Sequence, residues 1–216
     1  MRNFRFILSN LYFWLKKTNL SIGDEPFMPS LEKEVFKSLV RKSNHLLEYG
    51  GGGSTVWSNG IGKIVTCVEN NVDWINFIRE KVSSKGTPEN LRLLIADSGL
   101  TGAFGMPALG NWTPGLVGKG LEYVIKPFIL LNEENNYDLV FVDGRWRVSC
   151  CLFSALMLPL GVPILLDDFE SNRRYELLYT FFEIEVYGRL ACLKLKRDVN
   201  RDQLIRAFVN SLKDAE

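Results

Sequence analysis

Directly after the apolar pair Leu46-Leu47 the chain reads Glu48-Tyr49-Gly50-Gly51-Gly52-Gly53-Ser54-Thr55. Consecutive glycines remove the side chains from a turn, so the backbone can bend tightly and approach a ligand closely, as a nucleotide-like ligand requires. A second acid, Glu69, closes the next β-branched run, Ile64 to Val68. Further on, Asp143 follows the apolar run Tyr137 to Val142, and Asp167 and Asp168 follow Val162 to Leu166. Three such carboxylates can serve as a general base or hold an oxygen-preferring cation such as magnesium or calcium. They can equally cap helices or pair with Arg145, Arg147, Arg173 or Arg174. Arg145 and Arg147 carry guanidinium forks that can grip a carboxylate or phosphate on an acceptor, or order the site by pairing with Asp143 or Asp168. His45, the only histidine, precedes the first strand, which argues against a histidine-based nucleophilic triad.

The dinucleotide-binding fingerprint wants glycine where Thr55 stands and an apolar strand end where Glu48 stands, which disfavours an NAD-dependent oxidoreductase. Over most of residues 30 to 196 the pattern resembles instead the class I S-adenosylmethionine-dependent methyltransferases. The resemblance is carried by Glu48 with Gly50 and Gly52, by Glu69, by Leu94-Ile95-Ala96-Asp97 and by Tyr137-Asp138-Leu139-Val140-Phe141-Val142-Asp143-Gly144. It implies that Glu48 lies near the cationic methionine moiety and that Glu69 accepts both ribose hydroxyls. It further implies that Asp97 lies where the family commonly contacts adenine, with Asp143 and Gly144 beside the methyl donor. Ser54 stands where many members carry the last glycine of the loop and is counted with the cofactor-binding residues. Acids suit this ligand, because it is positively charged and lacks the pyrophosphate that a helix N-terminus would hold.

Metal-dependent catechol-type methyltransferases place aspartates at positions like those of Asp143 and Asp168. They follow the second with asparagine, where this chain has Phe169, so a divalent metal is not favoured. Asp143-Gly144-Arg145-Trp146-Arg147 is also similar to a segment of bacterial methyltransferase-like proteins of surface-glycan pathways, which implies an acidic glycan or its precursor as acceptor. The expected activity is methyl transfer from S-adenosylmethionine to an oxygen of a glycan-related or small-molecule acceptor, with Asp143, Asp168 and Arg145 on the acceptor side. A non-catalytic module that kept the nucleotide-like pocket is the alternative.

The elements that must position these residues follow from hydrophobic periodicity. Strand patterns appear at His45 to Tyr49, Ile64 to Val68, Leu91 to Ala96, Tyr137 to Val142 and Val162 to Leu166. Helical patterns separate them at Leu31 to Lys42, Val72 to Val82 and Val148 to Leu158. A helix is expected over Arg174 to Phe182, then a hairpin turning near Tyr187-Gly188 and a closing helix over Asn200 to Leu212. Strands alternating with helices predict an α/β fold: a doubly wound, mostly parallel, Rossmann-like sheet with helices on both faces and a terminal antiparallel hairpin. Ligands of such sheets lie beyond the carboxyl ends of the strands. Residues 98 to 120 are rich in glycine and proline, show no period and read as a long functional loop, with Phe104, Met106 and Trp112 available to wall an acceptor pocket.

A length of 216 residues fits one domain, and 26 basic against 25 acidic residues provide no positive field to recruit nucleic acid. Cys67, Cys150, Cys151 and Cys192 each sit in apolar runs without metal or redox spacing and read as buried thiols of a cytoplasmic protein. Val148 to Leu166 is uncharged and nearly long enough to span a bilayer, but Pro159, Gly161 and Pro163 divide it into helix, turn and strand. Phe4, Ile7, Leu8, Leu11 and Leu15 share one helical face. Residues 1–29 are therefore expected to form an amphipathic helical extension that packs on the 30–216 domain or touches a membrane surface, a partner subunit or a substrate.

Overall fold

In the computed structural model, which describes residues 22–102, 105–129, 136–169 and 175–215 apart from the side chain of residue 111, the apolar runs form one sheet. Its strands are β1 (His45–Tyr49), β2 (Ile64–Glu69), β3 (Leu91–Ile95), β4 (Leu139–Val142), β5 (Ile164–Leu166), β6 (Phe182–Tyr187) and β7 (Leu190–Leu195). They lie in the order β3-β2-β1-β4-β5-β7-β6. The first five are mutually parallel, while β7 runs antiparallel to both β5 and β6. This is the doubly wound sheet with a terminal hairpin that the alternation predicts.

Every residue of the central strands β1 and β4 is buried, as near-continuous apolar runs require when both faces of a sheet are covered. The two-residue period sorts the side chains by face. Leu47, Tyr49, Val140 and Val142 join a core with α4 (Leu116–Ile129), α5 (Arg147–Met157) and α7 (Arg201–Ser211) through Tyr123, Leu152 and Phe208. Leu46, Cys67, Leu139 and Phe141 face the other way, onto Phe36 and Val40 of α1 (Ser30–Lys42). Next to them α2 (Gly53–Gly60) and α3 (Val72–Lys85) close a smaller cluster through Val56, Ile78 and Val82. Asn71 caps α3 by accepting the Trp74 N–H at 3.1 Å, and Asn200 caps α7 by accepting that of Gln203 at the same distance.

Two expectations about elements need correction. The irregular stretch ends at Leu116, where α4 begins; Gly118, Gly120 and Pro127 mask its periodicity. Gly120 is there for packing, since the Trp146 indole lies against the place a Cβ would take. Conversely, the helix expected over 174 to 182 is a single turn, α6 (Leu178–Phe181), because Phe182 is already paired with Leu195 in the hairpin. Residues 1–21, with the proposed amphipathic face, lie outside the described residues, as do Phe104, Arg173 and Arg174. Residues 22–29 are irregular rather than helical. Val148 to Leu166 resolves into α5, a turn and β5, and among the described residues no helix is long and apolar enough to cross a membrane. All four cysteines are buried free thiols.

The winding direction reverses between β1 and β4, and the chain segments leaving these two strands meet there. Gly50 has φ +86°, and a Cβ on it would lie 2.5 Å from Gly144 Cα. A Cβ on Gly144 would lie 2.9 Å from Gly50 N and press on the Tyr123 hydroxyl. Gly144→Ala is therefore expected to lower stability by about 2–3 kcal/mol through overpacking, read as a reduced urea midpoint at unchanged slope.

Candidate functional site

The carboxyl ends of β1, β2, β4 and β5 open onto a cavity of about 760 Å³. Its floor is the glycine loop between β1 and α2. Gly50 N–H donates to Val68 O at 2.8 Å, and Gly52 N–H to Thr55 Oγ1 at 2.9 Å. Trp74 Nε1 donates to Gly51 O at 2.5 Å, which brings an indole edge to the cavity wall.

Glu69 ends β2 facing this loop. Its Oε1 accepts the Asn70 and Asn71 N–H groups at 2.8 and 2.9 Å, and its Oε2 receives Gly51 N–H at 3.3 Å. Burial pushes its carboxyl above the ordinary range, against the pull of those three amides. One carboxylate is thus fixed by backbone donors while lining the cavity.

Glu48 is placed differently from what the family resemblance implies. It is completely buried, does not line the cavity, and points to the sheet face opposite Leu47 and Tyr49. The first turn of α2 passes over it, where the Ser54 hydroxyl donates to Oε1 and the Thr55 hydroxyl to Oε2, the latter at 2.7 Å. Burial pushes its carboxyl up to about 8, so it is largely protonated at neutral pH. Ser54 lines the cavity, but its hydroxyl is directed at Glu48. Both residues therefore shape the glycine loop from behind.

Asp97 is exposed, outside the cavity lining, and accepts Gly99 N–H at 2.7 Å. The buried neighbour Ser98 is the residue tied to the site. Asn70 Nδ2 donates to Ser98 Oγ and to Gly105 O, both at 2.7 Å, and so carries the following loop with Met106 against the cavity. Trp112 is 81% exposed and away from the cavity.

On the opposite wall the carboxylates of Asp143, Asp167 and Asp168 come together, each offering an oxygen within 4.8 Å of the others. The Arg147 side chain, 8% exposed, fills their midst. Its Nε donates to Gly144 O at 3.0 Å, and Nη1 to Asp167 O and Asp168 Oδ2 at 2.7 and 3.3 Å. Nη2 donates to Asp143 O and Oδ1 at 3.1 and 3.2 Å and to Asp168 Oδ2 at 3.3 Å. Arg189, from the hairpin turn, bridges Asp168 Oδ1 at 2.8 Å. Burial raises the Asp143 carboxyl above its usual range against the pull of Arg147, with Asp167 and Asp168 adding to the rise. Asp168 adopts φ +53°, a conformation rare outside glycine and often found at functional strand ends. Arg145 lines the cavity beside them.

The sequence pattern did not single out Asn70, Trp74, Tyr123 or Arg189 as cavity residues, nor the segment 22–28, of which Ile22, Glu25 and Met28 reach it. Asn70-Asn71 directly after Glu69 was the one available signal, a polar pair where the chain leaves a buried strand.

No protein family matches the sequence, and no curated protein does. Among solved structures, a methyltransferase-like protein from Silicibacter pomeroyi is 26% identical, with TM-score 0.76 over 88% of this chain and 97% of that one. The O-methyltransferase TomG from Streptomyces achromogenes, in complex with SAM, is 15% identical, with TM-score 0.51 over 91% and 99%. An O-methyltransferase from Bacillus cereus, in complex with SAH, is 14% identical, with TM-score 0.52 over 89% and 91%. The chain shares the Rossmann-like fold of these proteins.

The buried Glu48 has a measurable signature. The native state keeps its proton up to about pH 8, whereas the unfolded chain releases it near 4.5, so stability falls as pH rises through that window. Glu48→Gln keeps the shape and removes this contribution. Between pH 4.5 and 8 the wild type should lose roughly 3–5 kcal/mol more than the variant in urea titrations; parallel pH profiles would refute a protonated Glu48.

Proposed function

We propose that the cavity binds S-adenosylmethionine (SAM) and that the protein transfers its methyl group to an oxygen acceptor. The observation that carries this reading is Glu69: a buried carboxylate at the end of β2, held by the Asn70 and Asn71 amides, facing a backbone loop free of side chains. A carboxylate so fixed can accept both hydroxyls of a ribose. The cavity also falls within the range of ~300–1,000 Å³ usual for small-molecule sites.

SAM supplies a methyl group on a sulfonium sulfur, ready for in-line attack. The residues of this chain hold the donor and prepare the acceptor. The loop from Gly50 to Gly52 permits close approach, Trp74 and Met106 add apolar wall, and Asn70 holds the loop carrying Met106 in place. Asp143 stands at the end of β4, with one oxygen bound by Arg147 and a carboxyl raised toward neutrality, suited to take the proton of an acceptor hydroxyl. Asp168, braced by Arg147 and Arg189, completes the acceptor side.

The same cluster is a poor home for a divalent metal. The Arg147 guanidinium already places a positive charge among the three acids and spends its N–H groups on the carboxylates of Asp143 and Asp168 and on the backbone carbonyls of Asp143, Gly144 and Asp167. Phe169, standing after Asp168, is buried and stacks on Tyr175 at 5.3 Å. The proposed transfer is therefore metal-independent. Similarity of the Asp143–Arg147 segment to proteins of surface-glycan pathways supports a glycan-related acceptor, with other small molecules as the broader class.

Calorimetric titration tests the donor assignment. Wild type should bind SAM and S-adenosylhomocysteine but not NADH, and Glu69→Ala should weaken the adenosyl ligands by about 30-fold or more, as expected for losing hydrogen bonds to a charged group. Absence of adenosyl-ligand binding at millimolar concentration would overturn the reading, and binding without transfer to any hydroxyl acceptor would favour a non-catalytic module. For the metal, EDTA should leave transfer unchanged. Mn²⁺ should raise the melting temperature of Arg147→Gln, whose acids are released, and not that of the wild type.

A further inference from the structure

Three arginines line the cavity, and two are neutralised within the chain: Arg147 by Asp143 and Asp168, and Arg189 by Asp168. Arg145 differs. Its Nε is fully buried and has no hydrogen-bond acceptor, and among the described residues no carboxylate forms an ion pair with its guanidinium. Removal from water pulls its ordinary affinity for a proton down and the neighbouring Arg147 charge acts in the same direction, against the opposing pull of Tyr123, Asp143 and Tyr175. Asp143 and Glu69 attract this charge through space without bonding to it, and a half-buried guanidinium without a hydrogen-bonded counter-ion disfavours folding, so the arrangement makes sense where a bound molecule supplies the bonding anion.

We propose that Arg145 is the anion-binding residue of this cavity and that it receives a carboxylate or phosphate carried by a bound ligand. This extends the methyl-transfer reading and rests on it for the identity of the ligand, though not for the anion site itself. Arg145 follows Gly144, whose backbone touches Gly50, so its side chain leaves the sheet where the donor loop and the acid cluster meet. Asp143 and Asp168 bond to Arg147 and not to Arg145, which leaves the planar fork of Arg145 available for two parallel bonds to an oxyanion. The anion can come from the amino-acid end of the donor or from an acidic acceptor.

Binding of inorganic phosphate, of SAM and of decarboxylated SAM to wild type, Arg145→Gln and Arg145→Lys separates these sources. Phosphate alone should bind the wild type in the millimolar range and bind Arg145→Gln at least 10-fold more weakly, with Arg145→Lys between them. If the donor carboxylate is the partner, wild type prefers SAM over the decarboxylated analogue by 10-fold or more, and Arg145→Gln loses that preference. If the acceptor supplies the anion, the two donors bind alike and phosphate still binds at saturating SAM, but only when Arg145 is present. Phosphate binding through Arg145 without any SAM binding would keep the anion site and discard the methyl-transfer reading. The ligand-free Arg145→Gln protein should melt no lower than wild type. A melting temperature lowered by several degrees would show a structural arginine and overturn the proposal, as would phosphate and donor affinities that do not respond to the substitution.

Discussion

The backbone contact between Gly50 and Gly144 is the constraint on which the site depends. Two chain segments leaving neighbouring parallel strands can touch only if neither carries a side chain at the crossing, and both positions are glycine. The contact lies where the sheet reverses its winding, so it joins two halves of the molecule that are far apart in sequence. From the first half it presents the turn that faces Glu69; from the second it projects Asp143 and Arg145. Tyr123, packed beneath Gly144, extends the same contact into the core on one face of the sheet.

Around that crossing, charge is handled in three ways, each set by the partners of the buried group. Glu48 is out of reach of water and keeps its proton, acting as a neutral bracket for the first turn of α2. Arg147 is nearly as deep but stays charged, because carboxylates and carbonyls surround it on every side. Glu69, as deep as Arg147, is held by amides and keeps a face toward the cavity. A buried ion cluster of this kind is weak as a source of stability but specific in geometry, since losing one member would strand the others. That specificity is what a site aligning two reactants needs.

Much of the fold was legible because its central strands are apolar on both faces and its helices are amphipathic. The strand ends carrying Glu69, Asp143 and Asp168 could be placed from the alternation alone. What was not legible depended on contacts distant in sequence. Helix α4 escaped because Gly120 answers to the Trp146 indole, a demand invisible in the local pattern. The position of Glu48 before the glycines suggests a ligand-facing acid, but its burial is set by strand parity and by Ser54 and Thr55 folding back over it. Asp97 sits next to the residue that reaches the site, one position being enough to send Ser98 inward and the carboxylate outward. Arg189 comes from a hairpin turn, 21 residues after Asp168, and only the antiparallel return of β7 along β5 brings it there.

Residues 22–28 cross the rim of the cavity, held at one end by buried Ile22 packed with Val56, Ile78 and Val82, at the other by Met28 against the Phe36 and Val40 cluster, and between them by ion pairs. Glu25 pairs with Lys33 and the buried Lys37, and Asp24 with Lys81 and Lys85 near solvent. Such pairs are individually weak and are screened over about 8–10 Å at physiological ionic strength, unlike the bonds of the buried Arg147 guanidinium to backbone carbonyls. Dissolved salt therefore acts on the middle of this segment, at Asp24 and Glu25, while Ile22 and Met28 stay seated in their apolar clusters, so the medium tunes the charge at the cavity entrance without releasing the chain that crosses it.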